Sequence, residues 1–169
     1  CIRDRPDCKY VKGSYSLTGT GLQFSSDAAV VKDAIATLKV RQPTTRVLLA
    51  VGGATYTNFA AINTQCIKDL IDDFGFDGAD LDYEPSNPAC KVVSGKVSCS
   101  TDAESVDVTT KLRAALPVGK YLLSTASWHV GMYGEGAYAN AQPLSVYTGV
   151  NLAMARSPAG QQLDLINIM

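Results

Sequence analysis

Residues 76–84 read Phe-Asp-Gly-Ala-Asp-Leu-Asp-Tyr-Glu, with an acidic side chain at every second position of the second half. Side chains alternate between the two faces of a β-strand, so Asp80, Asp82 and Glu84 would share one face and the intervening Leu and Tyr the other. Three carboxylates on one face are costly, because like charges repel and burial strips their water. The pattern therefore predicts a strand whose acidic face serves acid–base chemistry.

The composition narrows the possible partners of the chain. With 169 residues, 46% of them hydrophobic, the chain can bury the core of one domain. A net charge of −1 without a basic block does not indicate binding to nucleic acid or to an anionic membrane surface. No apolar run reaches the ~18 residues of a membrane span. The single His129, without a Cys/His cluster at zinc spacing, predicts no metal site, and we expect a monomer without a cofactor.

Strand and helix patterns alternate along the chain. The apolar run 46–53, ended by two glycines, is typical of a parallel strand that is buried on both faces. Helical spacing and capping signals predict helices over 27–41, 57–73 and 101–116, and a weaker one around 145–156. Further strands are predicted at 76–84, 121–127 and 163–169. Repeated strand–helix–strand units of this kind predict a parallel sheet.

Two architectures fit this order, a doubly wound sheet and a (β/α)₈ barrel. No Gly-x-Gly-x-x-Gly loop follows any predicted strand, so the nucleotide-binding fingerprint of the doubly wound fold is missing. Glu84 is predicted to end its strand, since Pro85 follows it, and barrels carry catalytic residues at that end. The pattern therefore favours a barrel. A barrel needs about 250 residues, so we expect this chain to be an excerpt of a longer protein.

The five cysteines predict disulfides and an oxidising compartment. Cys90 and Cys99 flank a short hairpin with a Ser-Gly turn, where a disulfide is geometrically easy. Cys1 with Cys8 is a second candidate pair, and Cys66, on the apolar side of a predicted helix, is expected to be a buried thiol. Paired loop cysteines favour a secreted, extracellular protein.

At this point the chain resembles family 18 glycoside hydrolases, the chitinase family. Residues 77–84 match all four acids of the family's Asp-Gly-x-Asp-x-Asp-x-Glu segment on the fourth barrel strand. Its Ser-x-Gly-Gly signature is approximated at 50–53, where Ala50 replaces the Ser, a hydroxyl that helps to position the inner aspartates. The closing Ile-Asn-Ile-Met169 resembles the start of the Met-x-Tyr-Asp segment on strand six.

The resemblance implies a fold and its boundaries. The chain would form part of a (β/α)₈ TIM barrel, covering roughly strands three to six. Residues 1–26 would be a connecting segment and 27–169 four βα units, with the rest of the barrel outside the chain.

The resemblance also implies an activity, the retaining hydrolysis of β-1,4-linked N-acetylglucosamine in chitin or chito-oligosaccharides. Glu84 would protonate the glycosidic oxygen, while Asp82 orients the N-acetyl group whose carbonyl attacks the anomeric carbon. Asp80 would set the charge beneath them. Acids about 7 Å apart repel by about 2.4 kcal/mol at an effective dielectric of about 20, so the three should share a proton near neutral pH.

Other residues are expected to bind substrate or to support the acids. Trp128 follows a predicted strand and could stack on a sugar ring, and Tyr133, in a Gly-rich loop, could line the cleft. By the resemblance, Gly53 and Met169 would also contact substrate and Gly52 would support the site. Asp77 stands at an odd-numbered position, so its side chain would lie on the face of the strand opposite to Asp80, Asp82 and Glu84. It is therefore expected to support the strand rather than to catalyse.

Alternatives remain open at the level of sequence. An endo-β-N-acetylglucosaminidase that acts on N-glycans would use the same acids, and a chitinase-like lectin would keep the groove without catalysis. Lectins of this kind usually lose the residue equivalent to Glu84, so its presence favours an enzyme. The acids could also form a solvated strand edge or a cation site.

Overall fold

The structure of this chain is a computed structural model that describes residues 3–4, 7–22, 24–55, 57–140 and 145–169. At its centre lies a five-stranded sheet in which all neighbouring strands run parallel. Its strands are β1 (Arg3–Asp4), β2 (Leu48–Gly52), β3 (Gly78–Asp82), β6 (Leu122–Ser127) and β7 (Leu165–Ile168). Two further strands, β4 (Lys91–Val93) and β5 (Lys96–Ser98), pair antiparallel as a separate hairpin.

Four helices follow the predicted order, although the second and the fourth begin later than predicted. They are α1 (Ala28–Arg41), α2 (Thr64–Phe74), α3 (Asp102–Ala115) and α4 (Leu152–Arg156). The predicted start of the second helix at 57 is wrong, because the Asn63 side chain accepts the Cys66 N–H and so caps α2 seven residues later. Gly75 ends α2 in the left-handed conformation, as expected. Each helix in the described ranges is too short or too polar to span a membrane.

The order of the strands in the sheet distinguishes the two predicted architectures. The order β1-β2-β3-β6-β7 is the order along the chain. A doubly wound sheet reverses its strand order at a switch point, whereas a barrel adds each strand beside the previous one. The described strands thus follow barrel order, although they do not close into a barrel within the described ranges.

The first strand was not expected from the sequence. It lies inside the segment 1–26, which was predicted to be a connection, and Arg3 of β1 pairs with Ala50 of β2. A two-residue Arg-Asp segment has no apolar alternation, so only its pairing with β2 identifies it as a strand. The described chain therefore contributes five parallel strands rather than four.

The hydrophobic core lies between the sheet and the helices α2 and α3. Fully buried side chains from three strands pack against one apolar side of each helix: Val51, Leu81, Leu123, Ile67, Leu70, Ile71, Val108 and Leu112. Burying a side chain of this size contributes about 1.5–3 kcal/mol relative to exposing it. This packing fixes one face of β3 and leaves its opposite face for polar residues.

Of the two predicted disulfides, one is present and one is wrong. Cys90 is bonded to Cys99 across the β4–β5 hairpin, as predicted. Cys8 is bonded to Cys66 rather than to Cys1, which lies outside the described residues. Cys66 is buried as expected, but it is not a free thiol, because the N-terminal segment folds back onto α2 and brings Cys8 against it. Sequence spacing could not show this contact between residues 58 positions apart.

Candidate active site

The three alternating acids lie in the second half of β3 and just beyond its carboxyl end. Asp80 lies within the strand, Asp82 is its last residue, and Glu84 follows two residues later. The prediction that Glu84 ends the strand is wrong, because regular pairing with both neighbouring strands stops at Asp82. Asp82 is only 4% exposed, whereas Asp80 and Glu84 are half-buried. The acids therefore sit at the edge of the sheet where parallel α/β folds place their active sites.

The face of β3 opposite the acids is packed, as the alternation predicted. Leu81 and Tyr83 are buried in the core, and the Tyr83 ring lies 4.8 Å from that of Phe59. The Tyr83 hydroxyl donates to Glu104 Oε2 at 2.7 Å, and burial together with this carboxylate raises the pKa of Tyr83. The packed face holds the backbone between Asp82 and Glu84 in place.

Asp80 is held by polar side chains from two other strands. Ser124 Oγ on β6 donates to Asp80 Oδ1, and Asn167 Nδ2 on β7 donates to the same oxygen at 3.1 Å. In the register of the sheet, Asp80 lies between Ala50 of β2 and Ser124 of β6. The hydroxyl that Ala50 cannot supply on one side of Asp80 is therefore present on the other side.

Ser124 and Asn167 were not identified from the sequence. Asn167 interrupts the apolar run 165–169, a signal that could have singled it out, whereas Ser124 is one of three Ser and Thr residues in 121–127 and had no such signal. Ser124 is 1% exposed, so its hydroxyl needs a partner inside the protein. Strand register, which the sequence does not show, is what places it beside Asp80.

The two glycines at the end of β2, Gly52 within the strand and Gly53 after it, allow its backbone to approach β3 closely. Gly52 has a φ of 106°, and a Cβ there would lie 2.5 Å from both the Asp82 carbonyl oxygen and Phe59 Cζ. The Gly53 N–H donates to the Asp82 carbonyl at 2.7 Å. Both glycines thus fix the position of Asp82, and a contact between Gly53 and substrate stays a prediction.

Asp77 lies at the opposite end of β3 from Glu84. Its Oδ2 accepts the Val47 N–H at 2.7 Å and forms an ion pair with Lys39 Nζ at 2.8 Å. Asp164 has a similar place before β7, where Oδ2 accepts the Leu123 N–H at 2.8 Å. Contacts of this kind hold the amino ends of neighbouring strands together, which suits the supporting role expected of Asp77.

Trp128 and Met169 both lie at the carboxyl end of the sheet. Trp128 directly follows β6, and its ring packs on that of Tyr147 with centroids 4.0 Å apart. Met169 directly follows β7, donates its N–H to the Ser127 carbonyl at 2.9 Å, and is 50% exposed. The structure thus brings both residues to the edge that holds the acids, and Tyr147 adds an aromatic residue that the sequence did not single out.

Tyr133 lies in the loop that packs on the β4–β5 hairpin. Its ring stacks on that of Tyr138, with centroids 6.1 Å apart. The next residue, Gly134, lies so close to Val97 of β5 that a Cβ would be 2.6 Å from Val97 Cγ2. Tyr133 therefore lies beside the hairpin, and its role in binding substrate stays a prediction.

The described side chains offer few options for a metal ion. Among the residues that the structure describes, no group of three or more His, Cys, Asp or Glu side chains is arranged to hold one. One oxygen of Asp80 accepts hydrogen bonds from a hydroxyl and from an amide, so its position is fixed by the protein's own donors. The arrangement suits proton transfer and hydrogen bonding at the sheet edge.

Solved structures similar to this chain include GH18 chitinases and a pseudo-chitinase. A GH18 chitinase from Pseudoalteromonas aurantia aligns with a TM-score of 0.61 at 20% identity, over 97% of this chain and 54% of that chain. A GH18 chitinase mutant from Cycas revoluta, solved in complex with (GlcNAc)4, gives 0.55 at 19%, over 88% of this chain and 42% of the other. Human YKL-39, described as a pseudo-chitinase with retained chitooligosaccharide binding, gives 0.57 at 14%, over 88% and 38%.

The chain resembles these solved structures in fold but not in sequence. Neither a family model nor a curated protein sequence matches the chain. The chain spans about half, or less, of the length of the three solved structures. At identities of 14–20% the agreement shows fold alone, because one fold hosts many functions. The described parallel α/β sheet is thus similar in fold to part of these solved chitinase structures.

Proposed function

We propose that the natural protein carrying this sequence is a chitinase-type glycoside hydrolase that cleaves β-1,4-linked N-acetylglucosamine polymers with retention of configuration. One observation carries the proposal. The alternating acids Asp80, Asp82 and Glu84 lie at the carboxyl end of a strand within a fold like that of GH18 chitinases. Fold likeness alone would not favour catalysis, but this placement of three acids does.

The proposed mechanism gives each acid a separate role. Glu84, furthest along the chain and half-buried, donates a proton to the glycosidic oxygen as the bond from that oxygen to the anomeric carbon breaks. Asp82 is buried and lies two residues before Glu84. It orients the substrate's N-acetyl group, whose carbonyl oxygen forms the new bond to the anomeric carbon. Glu84 then takes a proton from the water that opens this intermediate. Asp80, fixed by Ser124, sets the charge next to Asp82.

The surroundings of this centre form the rest of the proposal. The five strands would be part of a closed (β/α)₈ barrel, of which residues 27–169 supply βα units, and the active protein would be monomeric and need no cofactor. Trp128 would stack on a sugar ring, while Gly53, Met169 and Tyr133 would line the binding cleft. Two disulfides support secretion into an oxidising compartment.

A chitin-binding protein without catalysis is the second candidate. Human YKL-39, a pseudo-chitinase with retained chitooligosaccharide binding, has a similar fold, so the fold is compatible with binding alone. Glu84 is what distinguishes the two functions here, because a binding protein has no need of a proton donor at this position.

Parallel assays of binding and cleavage test the proposal. The natural protein is incubated with chito-oligosaccharides and with an N-glycan that has a diacetylchitobiose core, and products and dissociation constants are measured for both. Cleavage of the chito-oligosaccharides supports the proposed function. Binding without cleavage would identify a lectin, and cleavage of the N-glycan alone would identify an endo-β-N-acetylglucosaminidase.

Ser124→Ala is expected to lower kcat/KM on chito-oligosaccharides by about tenfold. The substitution removes one of the two donors to Asp80, and a hydrogen bond to a charged group is worth about 1.5–3 kcal/mol. Because Ala50 lies opposite Asp80 on the other neighbouring strand, adding Ala50→Ser should return part of the lost activity. Ala50→Ser alone is the control. Activity of Ser124→Ala within twofold of wild type would contradict the positioning of Asp80 by Ser124.

A further inference from the structure

Tyr147 joins a candidate sugar-binding residue to the segment that carries Glu84. Its ring packs on Trp128, with centroids 4.0 Å apart, and its hydroxyl donates to the Ser86 carbonyl at 2.9 Å. Tyr147 lies in the loop between β6 and α4, whereas Ser86 lies in the loop after β3. One side chain therefore connects two loops at the carboxyl end of the sheet.

The link from Ser86 to Glu84 is short and stiff. Pro85 is the one residue between them, it is buried, and its ring fixes its own φ near −65°. A residue before proline is restricted to extended conformations, so Pro85 also restricts the backbone of Glu84. A hydrogen bond that holds the Ser86 carbonyl therefore also limits the position of the Glu84 backbone, and with it the position of the Glu84 side chain.

Further contacts tie the same two loops together. The Cys90 N–H donates to the Val146 carbonyl at 2.9 Å, one residue before Tyr147. Val97 of the hairpin packs directly against the backbone of Gly134 and Gly149. A Cβ at either glycine would lie only 2.6 Å from a Val97 methyl group, so no larger residue fits there without a shift. Glu135 accepts the Val97 N–H at 2.6 Å, and its ion pair with Arg156 lowers the pKa of the Glu135 carboxyl. The Tyr147 contact thus lies among several contacts that join these two loops.

We propose that Tyr147 is a positioning residue that couples sugar binding at Trp128 to the placement of the proton donor Glu84. The inference rests on the proposed function and adds a residue that the acidic motif does not contain. A sugar that stacks on Trp128 would restrict the Trp128 ring, which packs on the ring of Tyr147. The Tyr147 hydroxyl in turn holds the segment that carries Glu84. The hydroxyl would then act on the chemical step, and the ring would act on substrate binding.

Two substitutions at position 147 separate these two roles. Tyr147→Phe keeps the ring on Trp128 and removes the hydrogen bond to Ser86, and Tyr147→Leu removes both. The control is Tyr121→Phe, which removes a hydroxyl that donates to Asp72 Oδ1 at 2.6 Å at the amino end of β6. All variants are made in the natural protein and assayed with chito-oligosaccharides, and thermal unfolding is followed for each.

For Tyr147→Phe we expect kcat to fall about fivefold to tenfold with KM within twofold of wild type, since one hydrogen bond is lost at the proton donor's segment. Tyr147→Leu should show the same fall in kcat and also a higher KM. Tyr121→Phe should leave both constants unchanged. A wild-type kcat in Tyr147→Phe, or a change in KM alone, would overturn the inference while the proposed function stands. A wild-type protein that does not cleave would overturn both.

Discussion

Replacing Glu84 by Gln is expected to lower kcat on chito-oligosaccharides by about 10²–10⁴-fold, the usual contribution of a general acid. Gln has almost the same shape as Glu but has no acidic proton to give to the glycosidic oxygen. Glu84 is half-buried at the edge of the sheet, beyond the end of β3, so the change should not disturb the core. Binding of chito-oligosaccharides, measured by calorimetry, should stay within about threefold of wild type.

The matched control for this substitution is Glu104→Gln. Glu104 lies behind β3, where its Oε2 accepts the Tyr83 hydroxyl, and the amide oxygen of Gln can accept the same hydrogen bond. The control removes a carboxylate near the same strand without touching the acidic face. An equal loss of kcat in both variants, or unchanged turnover in Glu84→Gln, would contradict the role of Glu84 as proton donor.

Removing the Cys8–Cys66 disulfide is expected to lower the free energy of unfolding by about 4 kcal/mol. The two cysteines are 58 positions apart, and constraint of the unfolded chain grows with the length of the loop that a disulfide closes. The bond also holds residues 8–22 onto α2, where the Tyr10 hydroxyl donates to Asp73 Oδ2 at 2.7 Å and the Gly13 N–H donates to the same oxygen at 2.6 Å. Urea unfolding of a Cys8→Ala, Cys66→Ala double variant measures the loss.

Hydrogen exchange and a second double variant localise this effect. Exchange should quicken in residues 8–22 before it quickens in the sheet, because the N-terminal segment loses its covalent attachment. The Cys90→Ala, Cys99→Ala double variant removes a disulfide that closes a loop of 9 positions instead of 58, so it should cost less, about 3 kcal/mol. Equal losses in the two double variants would contradict the account of the long disulfide.

Local patterns in the sequence were sufficient for most helices and strands and for the face that the acids share, but not for β1, the start of α2 or the end of β3. The alternation at 76–84 correctly separated the buried Leu81 and Tyr83 from the acids, because side-chain parity is a property of a single strand. The Cys90–Cys99 pair was predictable for a similar reason, since a short hairpin brings its own ends together. In these cases the interacting residues are close in sequence.

Contacts between distant segments were not predictable. Ser124 meets Asp80 only because β3 and β6 pair in one register, and Cys66 meets Cys8 only because the N-terminal segment folds back onto α2. Tyr147 lies in a loop without periodicity, so its contact with Ser86 left no signal in the sequence. Glu104 likewise meets the Tyr83 hydroxyl, 21 positions earlier, only through tertiary packing.

The configuration of the first product tests the central claim most directly. The natural protein is mixed with a chito-oligosaccharide, and the anomeric proton of the new reducing end is followed by NMR before mutarotation. Attack by the substrate's own N-acetyl carbonyl, with Glu84 as acid and then base, predicts that the β-anomer forms first. Release of the α-anomer first, or binding of the oligosaccharide without any cleavage, would contradict the account.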